Sequence, residues 1–320
     1  MNQPRTQFAI LILLNVIWTP VNLAITEAIQ YASPLMVALM RWTFLGLLMA
    51  GLLQIGKVRE LVAQKLPTMR DAIYCILCGF LFAGPSHAIY YWALQHTGTV
   101  ETTVINTTGP FWIALFAISI LGEKISGLRW LAIIGGLIGA YVVAIGFGLP
   151  QMKSSHTMGN MAYLAGIMLE SLSFVAVTRV VRRSSGAGAF AWEILGMFLA
   201  MFAIHLIFPK QMPLTLTHVG PGFIGAMAYL VIGAGLFAWA AWYVIAERAP
   251  VSFMIVTLGV QAPLAALVGW LFLSEQVGSQ LIVGSLLILG SLGVAAWEGA
   301  RREERGETTG IEVAAAPEPS

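Results

Sequence analysis

Residues 115–126 read LFAISILGEKIS and residues 267–278 read LVGWLFLSEQVG. Each is an apolar run that ends near an acidic residue, and superposing the two sets Glu123 on Glu275. The offset is 152 residues, and it extends well beyond this passage. NLAITEAIQ at 22–30 falls on FVAVTRVVR at 174–182, with Thr26 on Thr178, Glu27 on Arg179 and Arg41 on Glu193. Pro110 and Pro263 coincide within one residue. Identity between two apolar stretches is weak evidence of duplication. One offset that serves several pairs of segments is stronger evidence.

The chain around these passages is equally apolar. Of its 320 residues, 58% are hydrophobic and 10% are charged, against about 25% charged in ordinary soluble domains. Seventeen basic and fifteen acidic side chains are too few to coat a soluble fold of this length. Disorder, a collagen-like chain and a disulfide scaffold are excluded by the apolar content, the aperiodic glycine and the two cysteines. The class that remains is an all-α integral membrane protein. Hydropathy divides it into ten spans, near 8–30, 34–55, 72–94, 99–121, 127–148, 160–181, 188–208, 221–245, 250–273 and 278–299. These runs are long enough to cross a bilayer, and they lack the period-two alternation of barrel strands. No small-x-small cleavage site follows the first span, so it is expected to be retained. Cys75 and Cys78 have neither a partner pair nor a thioredoxin-like setting, and they read as small apolar fillers.

Lys and Arg in the loops orient the spans. Arg5, Lys57, Arg59, Lys65, Arg70, Lys124, Arg129, Arg179, Arg182, Arg183, Arg248, Arg301, Arg302 and Arg305 all fall on one side. Lys153 and Lys210 fall on the other, and Arg41 lies inside span 2. Both termini are therefore expected in the cytoplasm, with 301–320 a polar, disordered tail. Each repeat, 1–150 and 156–300, holds five spans. Five is odd, so the second copy enters the membrane from the opposite face. The expected architecture is two five-helix inverted-topology repeats around a central cavity, a common plan of secondary transporters.

At this level the chain resembles a known family. GPFWIALFAISILGEKISGLRWLAIIGGLIGA at 109–140 and APLAALVGWLFLSEQVGSQLIVGSLLILGSLG at 262–293 are similar to the two copies of the EamA unit in the drug/metabolite transporter superfamily. The Trp18 region and SPLMVALMRW at 33–42 resemble that family's first two helices. In the second copy Ser274 stands where the pattern has Gly before the acidic residue. The resemblance implies a basket of ten helices with a cavity lined by spans 1, 3, 4, 6, 8 and 9. It also implies export of small metabolites, amino acids among them, across the bacterial inner membrane. Spans 5 and 10 are expected away from the cavity, with Gly135 and Gly139 serving close packing within the molecule, consistent with a monomer.

Charges inside the hydrocarbon are the informative positions, since each costs roughly 2.5–3.5 kcal/mol or more unless paired or hydrated. Glu170 is the deepest, about eleven residues or about 16 Å into span 6. It is the leading candidate to bind a substrate ammonium or take a proton. The repeat adds two possible ion pairs, Glu27 with Arg41 toward the periplasm and Arg179 with Glu193 toward the cytoplasm. They could act as gates or simply satisfy charges buried by packing. Trp18, Tyr90, Tyr91, Trp112, Trp239 and Trp242 could stack on a flat or cationic solute, although interfacial belts also use such rings. Asn22, Asn106 and Gln261 are polar candidates, the last two because they lie just before span prolines that free backbone carbonyls. His87 reads as a packing residue. Glu123 and Glu275 read as turn or cap residues.

A secondary transporter explains these features best. The solute would be a small molecule, with an amino acid or related amine the best match, and coupling, if any, would be to protons. No P-loop is present, which excludes direct ATP drive, and no cofactor, metal or nucleic-acid partner is expected. An intramembrane enzyme would need a nucleophile–base pair, H-E-x-x-H or paired aspartates, whereas Asp71 is the sole aspartate. A channel or receptor is the other alternative.

Overall fold

The computed structural model describes residues 4–56, 67–106, 108–121, 126–148, 155–211, 219–247 and 278–304, with Met254, Thr257, Leu258, Gln261 and Leu264. There is no strand among the described residues. The first span is two helices, α1 (Pro4–Trp18) and α2 (Val21–Ala28), divided at Pro20. Proline has no N–H to continue the helical ladder. Thr19 turns its hydroxyl back to the Asn15 carbonyl at 2.8 Å, and Tyr229 donates to the carbonyl of Ile17. Helix α3 (Pro34–Leu52) begins on a proline, where the missing N–H has no partner to lose.

The third span runs through α4 (Met69–Cys78), a π-helical turn at Gly79–Ala83 and α5 (Gly84–Ala93). Thr68 caps α4 by accepting the Asp71 N–H at 3.2 Å. Helices α6 (Thr99–Asn106) and α7 (Gly109–Leu121) follow, then α8 (Gly127–Ile145). The second half continues with α9 (Ser155–Arg183), α10 (Gly186–Ile207) and α11 (Pro221–Ala228). A π-helical stretch, Tyr229–Trp239, joins α11 to α12 (Ala240–Ala246), and α13 (Ser279–Glu304) comes last.

Seven helical runs among the described residues are long and apolar enough to cross a membrane. They are Ala9–Ala28, Pro34–Leu52, Met69–Ala93, Glu101–Ile120, Ser155–Arg183, Gly186–Ile207 and Pro221–Ala246. Trp130–Val143 and Ser279–Val294 are shorter apolar helices at expected spans 5 and 10. Expected span 9 lies outside the described residues, except for five positions. Thr107, Glu123, Pro263, Glu275 and residues 305–320 also lie outside them. The outer surface is oily: Leu47, Leu131, Leu206 and Leu286 are each 64–65% exposed. In water such a surface would drive association. In lipid it is the matching solvent.

Two helix crossings are set by glycine. A Cβ on Gly79 would stand 2.2 Å from the Glu193 carbonyl oxygen, and one on Gly196 would stand 2.1 Å from that of Ile76. Backbone therefore touches backbone where span 3 meets α10. At the second crossing, a Cβ on Gly139 or on Gly284 would lie 2.8 Å from the other's carbonyl oxygen. The glycine face of α8 is thus occupied by α13 of the same chain.

Candidate functional site

A cavity of about 130 Å³ opens between α1, α2, α3, α5, α6, α7, α9, the π-helical stretch Tyr229–Trp239 and α12. Its size is close to the roughly 150 Å³ that holds a benzene ring in an apolar protein interior. Trp18, Asn22, Tyr90, Tyr91, Asn106, Glu170, Trp239, Trp242 and Gln261 line it, as do His87 and Arg41. Trp112 does not line it. It is half-buried on α7, and its indole nitrogen is buried without a hydrogen-bond partner.

Glu170 is held from one side of the cavity. Tyr90 donates its hydroxyl to Oε2 at 2.5 Å, and His87 Nε2 lies 3.9 Å from Oε1. Ala83 ends the π-helical turn that precedes α5, and its carbonyl faces the side chains of Ser86 and His87. Ser86 donates to that carbonyl at 2.7 Å, and His87 Nδ1 lies 2.9 Å from it. A carbonyl only accepts, so Nδ1 carries the hydrogen and Nε2 is the nitrogen turned to Glu170. His87 was expected to be a packing residue, and it sits against the deepest carboxylate.

Three indoles form one wall. Trp18 lies 5.1 Å from Trp239 and 5.3 Å from Trp242, centroid to centroid, at tilts of 54° and 60°. Trp18 also donates its ring N–H to the Ala234 carbonyl at 3.2 Å, inside the π-helical stretch. The amides form another wall and mostly satisfy each other. Asn106 donates to Gln261 at 3.1 Å, Gln261 to Asn15 at 2.7 Å, and Asn15 to Thr257 at 3.0 Å. Asn22 donates to Thr102 and Thr103, both at 3.1 Å, and accepts from Tyr163 at 3.2 Å.

The sequence pattern of the EamA-like transporter family matches residues 7–145. An uncharacterized transporter YdeK of Bacillus subtilis (strain 168) is 24% identical over 216 residues, 68% of this chain and 71% of its own length. An uncharacterized transporter of Clostridium kluyveri is 24% identical over 251 residues, 73% of this chain and 76% of its own. The chain is thus similar to EamA-like transporters. One solved crystal structure superposes with a TM-score of 0.65 at 21% identity, covering 94% of this chain and 100% of that one. At that identity the likeness concerns the fold alone. These similarities and the apolar helices support a multi-pass membrane transporter.

The two expected ion pairs do not form among the described residues. Glu27 accepts from Tyr31 at 3.1 Å and from Gln30 at 3.4 Å. The neighbouring carboxylate holds the Tyr31 phenol above its usual pKa. Arg179 is exposed and donates to the Ile120 carbonyl. Glu193 is 3% exposed and accepts from Ser173 at 2.6 Å and from Tyr243. It shares a second cavity of about 20 Å³ with Glu170 and His87. Arg41 donates to the Tyr91 hydroxyl at 3.2 Å. The repeat register placed acid opposite base in sequence, but helix rotation gave each of them another partner.

Tyr163, Ile167, Ser171 and Phe174 also line the cavity and were not among the sequence candidates. Together with Glu170 they follow the period of one helical face on α9. Their spacing from Glu170 was the signal that could have found them.

Proposed function

We propose that this chain is a secondary transporter for a small, amine-bearing metabolite, an amino acid or related amine. It carries the solute by alternating access of two five-helix halves of opposite topology, 1–150 and 156–300. In a bacterial inner membrane with both termini cytoplasmic, the direction is export, and protons are the coupling ion. The observation that carries this reading is Glu170, a midspan carboxylate facing a cavity walled by indole and phenol rings. Rings and a carboxylate together suit an ammonium bound to an apolar or planar body. The π-helical segments at Gly79–Ala83 and Tyr229–Trp239 support a site here, because such breaks recur at functional positions.

Everted vesicles test the proposal with labelled amino acids and amines. The expected result is accumulation that collapses with the proton gradient, is lost in Glu170→Gln and persists in Lys210→Gln. Equal uptake in wild type and Glu170→Gln removes Glu170 from the site.

A further inference from the structure

Arg41 is a buried charge with no counter-charge among the described residues. It lies within α3 and is 2% exposed. Its Nη1 donates to a neutral phenol, Tyr91, at 3.2 Å. Its Cζ stands 4.9 Å from the Trp42 ring centroid. Its Nε is buried with no hydrogen-bond partner. Among the described residues no carboxylate oxygen comes within ion-pair distance of it. A buried guanidinium without a carboxylate is costly, and a fold retains one where something else supplies the negative charge.

The place of Arg41 suggests what that is. It lines the same cavity as Glu170, and the two do not form an ion pair. The cavity thus holds one positive and one negative pole, separate and each available to a solute. The amides on the wall between α6 and Gln261 are largely engaged with each other, so they compete weakly for charged ends. We propose that Arg41 is a carboxylate subsite, which makes the cavity selective for zwitterions over simple amines. The solute ammonium binds Glu170, its carboxylate binds the guanidinium fork, and its side chain packs on Trp18, Trp239 and Trp242. A guanidinium suits this task because its planar N–H groups match the two oxygens of a carboxylate. This inference rests on the reading of the cavity as the solute site.

The test uses the full chain purified in detergent, with thermal stabilisation as the readout. The twenty α-amino acids are screened first. Each one that raises Tm is then compared with its decarboxylated amine and its deaminated acid. For leucine these are isopentylamine and 4-methylpentanoate. The expected result is that the amine needs at least about tenfold more ligand than the amino acid for the same shift. In Arg41→Gln the amino acid and the amine become equal within about twofold, because the variant no longer reads the carboxylate. Arg41→Lys retains part of the preference, since it keeps the charge and loses the fork. Arg41→Lys decides the matter if Arg41→Gln does not fold.

Glu170→Gln is expected to fail in the opposite sense, losing the amine and keeping the acid. If amines stabilise the wild type as well as their amino acids do, Arg41 is no carboxylate subsite, and the amine-transporter reading stands. Full preference for the amino acid in the Arg41 variants overturns the inference in the same way. If neither amino acids nor amines shift Tm, both readings of the solute fall together.

Discussion

The seam between α8 and α13 and the central cavity are built from helices of similar apolar character, yet one is solid and the other hollow. At the seam, Gly139 and Gly284 bring backbones into contact, and Gly135 leaves room for Ser291, whose hydroxyl would be 2.6 Å from an added Cβ. Around the cavity, Trp18, Trp239, Trp242, Tyr90 and Tyr163 hold the helices apart. Without a hydrophobic driving force between helices in lipid, close contact depends on small residues and van der Waals packing. The size of the side chain at each crossing therefore decides where the molecule can open. Glu170 and Arg41 both lie at the cavity.

Mutations on the two sides should separate cleanly. The largest effect is expected in Glu170→Gln, with transport falling at least about 30-fold, equivalent to the ~2 kcal/mol lower bound for truncating a buried charge contact. Its Tm should change little, and a collapse of Tm alongside transport would make Glu170 a packing residue. Next is Gly284→Val at the seam. An added Cβ already falls 2.4 Å from Val143 Cγ2 and 2.8 Å from the Gly139 carbonyl oxygen. Overpacking of this kind costs about 1–3 kcal/mol, read as a lower Tm with transport per folded molecule unchanged. A specific transport defect at normal Tm would mean that the seam moves with the cavity.

Trp18→Phe is intermediate. It keeps a ring on the cavity wall and removes the indole bond to Ala234, worth about 1 kcal/mol. Chemical denaturation should detect that loss, together with weaker solute binding. The smallest effect is expected at Glu27→Gln, within about 0.5 kcal/mol, because its partners Tyr31 and Gln30 bond an amide nearly as well. Loss of transport in Glu27→Gln at unchanged Tm would restore the gate role that its partners in this structure argue against.

Much of the fold was legible in the sequence because its signals are local. Span 6, read at 160–181, is the helix Ser155–Arg183, and span 2, read at 34–55, is the helix Pro34–Leu52. Hydropathy sums along a run, and helical hydrogen bonds close within four residues, so neither depends on distant contacts. Glu170 was legible for a related reason, as a charge deep in an apolar run. The place of His87 beside Glu170 was not legible, because Glu170 lies on another helix and their approach depends on how the two helices pack. Trp112 was overvalued because aromatic content says nothing about the direction a ring faces.

By itself the sequence determined a helical membrane chain, the positions of its helices and the depth of its few charges. Only the tertiary structure decided which charges meet. Successive residues on a helix point about 100° apart, so a modest rotation of α3 or α9 exchanges one neighbour for another. That rotation is set by glycine contacts and ring packing across distant segments. It gives Glu27 a tyrosine, Arg179 a carbonyl and Glu193 two hydroxyls, and it leaves Arg41 facing the cavity that also holds Glu170.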